Sequence, residues 1–134
     1  MLSAYPGVSF VFVAPEVVKM KDDVKRMLDA KGVPWEEADD LKEVAGDVDV
    51  LYMTRIQRER FADNPDDYFK AQGKYVVDES VLATMRGDAI VMHPLPRLDE
   101  IEVAVDDDPR AAYFRQVKNG LYIRMALLKL LLAD

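Results

Sequence analysis

The chain has 134 residues and a formal net charge of −7, half of its residues are hydrophobic, and it contains no cysteine. This length predicts one domain or part of one. The acidic balance, without a lysine or arginine cluster, argues against a nucleic-acid partner. The lack of cysteine excludes disulfides and thiolate metal sites.

No apolar run approaches the roughly 20 residues that span a bilayer, so no membrane partner is expected. Residues 1–6 lack the charged-then-apolar pattern of a signal peptide, so no targeting segment is expected. These observations predict a cytoplasmic or organelle-interior protein.

Strand and helix patterns alternate from the start. Residues 7–14 are rich in β-branched and aromatic side chains and predict a buried strand. Apolar residues then recur at helical spacing, which predicts a helix from Pro15 until Gly32. A strand followed by an amphipathic helix is half of a parallel crossover unit.

The next segments repeat this order. Residues 33–38 predict a second strand near a sheet edge, because it contains a proline. Asp40 is predicted to cap a short helix through Ala45, and residues 48–53 predict a third strand. Residues 74–77 predict a further strand or an extended entry to a helix.

Asp78 is predicted to cap a helix that continues through Met85 and ends at Gly87. Residues 88–92 predict another buried strand, which must end where Pro94 removes a backbone donor. The alternation predicts the α/β class, with a three-layer, doubly wound (Rossmann-like) parallel sheet.

The loop after this strand, residues 93–100, is the first candidate site, because ligands of parallel α/β sheets bind beyond the carboxyl ends of strands. It contains His93, the only histidine. His93 is interpreted as an ordinary hydrogen-bonded residue, with a general base or an orienting donor as alternatives. No metal site is expected, since a second histidine and cysteine are lacking.

Residues 54–61 place three arginines at the carboxyl end of the third strand. One interpretation is a solvated helix start with pairs such as Arg55 and Glu59. The other is an anion clamp, in which the planar fork of Arg55 binds the carboxylate or phosphate of an acidic substrate.

Residues 101–105 are predicted to be partly extended. Asp106, Asp107 and Asp108 suggest a metal site, but Asp108 as helix N-cap with Pro109 as first helical residue is the stronger interpretation. The last helix is predicted from Pro109 to Leu132, with Asn119-Gly120 as a candidate break. It is apolar on most sides, which predicts that part of it meets a surface outside this chain.

Four segments, residues 49–61, 93–101, 108–116 and 119–128, resemble aspartate carbamoyltransferase. The match is to the carboxyl-terminal, aspartate-binding domain and covers nearly all of residues 1–134. Residues 17–23 and 128–132 look most like the plant and green-algal branch. The related ornithine enzymes carry a cysteine in the loop that corresponds to residues 93–97.

The resemblance implies an aspartate site. Arg55 matches the family residue that grips the side-chain carboxylate of aspartate, and Gln57 matches its polar neighbour. The backbone carbonyls of Pro94 and Leu95 correspond to groups that accept hydrogen bonds from the reacting amines. The Leu95–Pro96 bond would be cis.

The resemblance also implies a closing motion. Glu59, Arg60 and Asp99 match residues whose ion pairs lock the closed arrangement of loop and domains. Residues 58–75 resemble the mobile loop that closes over substrate.

The implied reaction transfers the carbamoyl group of carbamoyl phosphate to L-aspartate, giving N-carbamoyl-L-aspartate and phosphate in pyrimidine biosynthesis. No metal or organic cofactor is implied. The implied partners are the family's carbamoyl-phosphate domain and a homotrimer, in the cytoplasm or the chloroplast stroma.

The carbamoyl-phosphate motifs of the family, such as its Ser-Thr-Arg-Thr loop, do not occur in this sequence. Residues 1–7 align with the end of the aspartate domain's first helix, so the sheet is expected to lack its first strand. The chain alone is therefore expected to be inactive. The alternatives are a non-catalytic binding or assembly module derived from that domain, and an internal piece of a longer gene product.

Overall fold

The computed structural model describes residues 2–56, 61, 66, 68, 69 and 73–132. The strands are β1 Phe10–Val13, β2 Trp35–Ala38, β3 Val50–Tyr52 and β4 Ile90–Met92. The helices are α1 Asp22–Ala30, α2 Leu41–Ala45, α3 Glu79–Thr84 and α4 Tyr113–Leu132. Short 3-10 helices cover Leu2–Ala4, Glu16–Val18 and Val103–Asp107. The predicted α/β class, with parallel strands and a long C-terminal helix, is confirmed.

The chain forms two compact units, Met1–Val44 with Ile56–Tyr75, and Ala45–Arg55 with Val76–Asp134. In the first unit β1 and β2 are parallel, with Phe10 opposite Trp35 and Val13 opposite Ala38. Polar contacts tie α1 to β2. Trp35 Nε1 donates to Asp29 Oδ1 at 2.7 Å, and Lys25 Nζ lies 2.7 Å from Glu37 Oε1.

Two predictions for this unit are wrong in part. The helix expected from Pro15 begins at Asp22, because Lys19 and Lys21 have extended backbones that separate it from the turn at Glu16–Val18. The predicted end is correct, since Gly32 follows the helix with φ +63°. Strand β1 was expected to be buried, but it belongs to a two-stranded sheet and its four side chains are only half-buried.

In the second unit β3 and β4 are parallel, with Leu51 opposite Val91. The backbone of Val77 pairs with that of Ile101, and Val91 also pairs with Ala111. The core of this unit consists of the buried side chains Ala45, Leu51, Met53, Val77, Val81, Leu82, Met85, Ala89, Val91, Ile101, Val105, Ala112 and Tyr113.

Helix α3 has the predicted cap. The Asp78 side chain accepts a hydrogen bond from Val81 N at 2.8 Å, which satisfies an amide at the start of the helix. At the other end, Arg110 Nη1 donates to the carbonyl oxygen of Leu82 at 2.7 Å. A cation on the last carbonyls complements the negative end of the helix dipole.

The prediction for the start of the last helix is wrong. Helix α4 begins at Tyr113, four residues after Pro109. The reason is that Val91 N donates to Arg110 O and Ala112 N donates to Val91 O, both at 2.8 Å, which holds this segment beside β4. Asp108 accepts from Arg110 N instead of capping α4.

One neighbouring expectation is wrong, and another is correct only in part. Helix α4 continues through Asn119-Gly120 without a break. Residues 101–105, expected to be partly extended, are extended at Ile101, which pairs with Val77, and turn into a 3-10 helix at Val103. Within this turn Val105 is fully buried and Val103 is 76% exposed.

Most apolar side chains of α4 are exposed in the isolated chain. They are Phe114, Val117, Leu121, Tyr122, Ile123, Met125, Leu127, Leu128, Leu130, Leu131 and Leu132. Among the described residues, no helix has the length and apolar character required to cross a bilayer.

Two valines of one turn provide a matched test of this core. Val105→Ala is expected to lower the free energy of unfolding by about 2 kcal/mol, because it removes buried methyl groups and leaves a cavity. Val103→Ala, at an exposed position of the same turn, is expected to change it by less than about 0.5 kcal/mol. Urea unfolding measures both values, and equal losses would contradict the burial pattern.

Candidate functional site

The carboxyl ends of β3 and β4 lie side by side. Tyr52 is paired with Met92, and Met53 N donates to Met92 O at 2.9 Å. The segment that leads to Arg55 and the loop that begins at His93 therefore leave the same end of one parallel pair. This is the end at which parallel α/β sheets bind ligands.

The loop after β4 has an uncommon backbone conformation. Leu95 has φ +46°, a conformation rare for residues other than glycine, and the Leu95–Pro96 bond is cis, as the resemblance implied. Leu95 N donates to His93 Nδ1 at 2.8 Å. Pro94 is exposed and Leu95 is half-buried.

His93 is buried and both of its ring nitrogens have partners. Because Leu95 N–H can only donate, Nδ1 is the acceptor, and the neutral ring carries its proton on Nε2. Nε2 donates to Glu100 Oε1 at 2.7 Å, and Glu100 is itself buried. The other carboxylate oxygen of Glu100 accepts from Leu98 N at 3.2 Å. His93 thus orients the loop. Because both of its ring nitrogens are engaged in these contacts, neither is left to act as a general base.

A second group of contacts joins the loop to the start of α4. The Arg97 guanidinium binds the Asp106 carboxylate with two nitrogens, and its Nη2 lies 2.7 Å from Oδ2. The hydroxyl of buried Tyr113 donates to the same carboxylate. The guanidinium also lies over the Tyr113 ring, 5.5 Å from its centroid.

These contacts shift two pKa values in opposite directions. The hydrogen bonds from Arg97 hold the pKa of Asp106 below its ordinary value. Burial, reinforced by the hydrogen bond to Asp106, raises the pKa of Tyr113 to about 12. The loop is therefore anchored by a charged pair and a neutral phenol.

Only some of the predicted site residues lie in the described part of the chain. Arg55 is half-buried after β3, and Pro94, Leu95 and Asp99 lie in the loop after β4. Gln57, Glu59 and Arg60 lie outside the described residues, as does much of the loop predicted over residues 58–75.

Sequence reasoning missed the side chains that hold the loop. Glu100, Arg97 and Asp106 received no supporting role, although Arg97 and Glu100 lie within the segment that carries the resemblance. Gln116 was also missed, and its side chain accepts a hydrogen bond from His93 N at 3.0 Å. Sequence spacing gives no signal for these contacts, because they join residues up to 23 positions apart.

Two of the three aspartates pair with arginines. Asp106 binds Arg97, and Asp108 lies 2.8 Å from Arg110 Nη2. Within the described ranges, no cluster of three histidine, cysteine, aspartate or glutamate side chains could hold a metal ion.

The model of the aspartate/ornithine carbamoyltransferase Asp/Orn binding domain matches residues 1–131. The chain belongs to this family. Among the relatives, "Aspartate carbamoyltransferase 2, chloroplastic" of Pisum sativum is 63% identical over 132 residues, which are 98% of this chain and 34% of the pea enzyme. The aspartate carbamoyltransferase catalytic subunit of Thermofilum pendens is 48% identical over 131 residues, which are 98% of this chain and 41% of that protein.

Solved structures of aspartate transcarbamoylases have the same fold as this chain. The catalytic subunit of M. jannaschii aspartate transcarbamoylase has a TM-score of 0.84 at 41% identity, over 96% of this chain and 42% of that one. The Trypanosoma cruzi enzyme with carbamoyl phosphate and aspartate has a TM-score of 0.83 at 38% identity, over 95% of this chain and 42% of that one. This carbamoyltransferase domain thus spans less than half the length of its relatives.

Tyr113 provides a pH test of the loop anchor. Its folded pKa is raised from 10.0 to about 12, so its contribution to stability is complete below pH 10 and is lost as the pH rises to about 12. Tyr113→Phe is expected to be less stable at neutral pH by about 1 kcal/mol. The difference from the wild type should narrow between pH 10 and about 12.

Urea unfolding at a series of pH values measures this difference. Tyr122→Phe is the control, since Tyr122 lies on the same helix and is 54% exposed. A stability difference for Tyr113→Phe that stays constant throughout this alkaline range would contradict the assignment.

Proposed function

We propose that this chain supplies the aspartate-binding part of an aspartate carbamoyltransferase, as a partial Asp-binding domain over residues 1–134. The observation that carries the proposal is the meeting of two segments at one end of the β3–β4 pair. These are the segment that leads to Arg55 and the loop around Leu95. The 63% identity to a pea aspartate carbamoyltransferase supports the choice of substrate.

In this proposal Arg55 binds the side-chain carboxylate of aspartate. Its planar guanidinium offers two parallel donors to the two carboxylate oxygens, which a lysine cannot do. Gln57 is the neighbouring polar contact. Arg55 lies three residues after the end of β3, and Gln57 comes two residues later in the sequence.

The carbonyl oxygens of Pro94 and Leu95 accept hydrogen bonds from the reacting amines. Their position is set by the loop contacts, because Leu95 N is held by the His93 ring and that ring is held by Glu100. A backbone carbonyl oxygen is a neutral acceptor, so it can orient an amine by a hydrogen bond without forming an ion pair with it. The His93 ring is excluded from direct substrate contact by its burial.

In the reaction the aspartate amine attacks the carbonyl carbon of carbamoyl phosphate. A C–N bond forms, the C–O bond to phosphate breaks, and the amine loses a proton, giving N-carbamoyl-L-aspartate and phosphate. Catalysis is assigned mainly to positioning and to stabilisation of charge on the tetrahedral intermediate. The assignment requires no metal or organic cofactor.

Other parts of the proposal concern the complete enzyme. Glu59, Arg60 and Asp99 form the ion pairs of the closed state, and a carbamoyl-phosphate domain binds the second substrate. The assembly is a homotrimer. The relatives from pea, rice and Arabidopsis are named chloroplastic, which supports the chloroplast stroma as the compartment.

Complementation tests the proposal. The complementary fragment is the part of the pea enzyme that precedes its match to this chain, produced separately. We expect carbamoyl-aspartate to form in a mixture of the two and not with either alone. Arg55→Ala is expected to raise the KM for aspartate about a hundredfold, since a bidentate contact to a charged group is lost.

Two controls sharpen the result. Arg55→Lys keeps the charge without the fork and should fall between Arg55→Ala and the wild type. Arg26→Ala removes an exposed arginine of α1 and should leave the KM unchanged. Turnover by the chain alone would contradict the proposal. If the mixture is inactive and the chain unfolds cooperatively by itself, the non-catalytic binding or assembly module is the better interpretation.

A further inference from the structure

Gln116, one turn into α4, joins the ends of β3 and β4. Its side-chain Oε1 accepts a hydrogen bond from His93 N at 3.0 Å, and its Nε2 donates to the Tyr52 hydroxyl at 3.2 Å. The orientation of the amide is fixed, because a backbone N–H can only donate and must face the amide oxygen.

The contact with His93 completes the hydrogen bonding of β4. Residues of a strand alternate between its two edges. Ile90 N and Met92 O bond toward β3, whereas Val91 bonds on the other edge to the segment that contains Arg110 and Ala112. His93 N faces that second edge.

The second edge has no backbone acceptor left at this point, because the segment beside β4 becomes helix α4 at Tyr113. The amide oxygen of Gln116 takes the place of the missing carbonyl. An unpaired donor here would carry the cost of a lost hydrogen bond. This half of the contact is therefore explained by the fold.

The contact with Tyr52 has no such explanation. Tyr52 is 52% exposed, so water can satisfy its hydroxyl. Stability does not require this half of the contact. It adds a side-chain link between the ends of β3 and β4 to the backbone hydrogen bond from Met53 N to Met92 O, immediately before the two segments that lead to Arg55 and Leu95.

We propose that Gln116 is a positioning residue of the aspartate site, whose amide holds the Arg55 and Leu95 segments at a fixed separation. The inference rests on the proposed function, since it assigns aspartate to these two segments. Gln116 acts through Tyr52 and His93 and does not touch substrate. Because one aspartate molecule must reach both segments, small changes in their separation weaken its binding.

The test uses the complemented enzyme described above. Gln116→Met, Tyr52→Phe and the double variant are compared by the KM for aspartate, the KM for carbamoyl phosphate, kcat and the unfolding temperature. Asn119→Leu is the control, since it replaces an exposed amide on the same helix by an apolar side chain of similar size.

We expect Gln116→Met to raise the KM for aspartate about tenfold, with the KM for carbamoyl phosphate unchanged. Tyr52→Phe should raise the KM for aspartate by a smaller factor while leaving the unfolding temperature unchanged. In the Gln116→Met background, Tyr52→Phe should have no further effect, because the contact it breaks is already absent. Asn119→Leu should match the wild type.

The inference is overturned if Gln116→Met leaves the KM for aspartate unchanged, if both KM values and kcat change together, or if the two substitutions act additively. Should Gln116→Met fail to fold, Tyr52→Phe decides alone, and an unchanged KM for aspartate overturns the inference. Failure of the proposed function is seen separately, as an unsubstituted mixture that does not turn over or that does not respond to Arg55→Ala. That result removes the basis of the inference as well.

Discussion

The candidate site depends on strand β4 having a bonding partner on both edges. On one edge it pairs with β3, and on the other Val91 bonds to Arg110 and Ala112. The first pairing places two loops at one end of a sheet. The second fixes where α4 begins, and thereby places Gln116 opposite His93 N. The backbone hydrogen bonds of Val91 to Arg110 and Ala112 thus determine which side chains meet beyond β4.

The loop beyond β4 is held by its own side chains and by Asp106 of the following turn. Glu100 holds the His93 ring and Leu98 N, and Arg97 is fixed by Asp106. A loop held by these contacts presents its backbone carbonyls at defined positions. Preorganised acceptors do not have to rearrange when a substrate binds. The proposed catalysis by positioning requires this property.

The sequence was sufficient for the parallel α/β class, the cap at Asp78 and the end of α1 at Gly32, because these follow from local patterns. It was misleading at Pro109, where the Asp-Pro signal favours a helix but the edge of β4 holds the following residues extended. The roles of Gln116 and Arg97 could not be predicted, since their partners are distant in sequence. The anion-clamp hypothesis for Arg55 came from the residues after β3, whereas its assignment to aspartate and the proposed role of Leu95 came from the resemblance to a family.

A structure of the chain with its complementary fragment, aspartate and inorganic phosphate would test the central claim most directly. The account predicts the side-chain carboxylate of aspartate on the Arg55 guanidinium and its amine on the Leu95 carbonyl oxygen. It also predicts the Gln116 amide between Tyr52 and His93. Aspartate bound away from the ends of β3 and β4, or bound there without contact to Arg55, would contradict it.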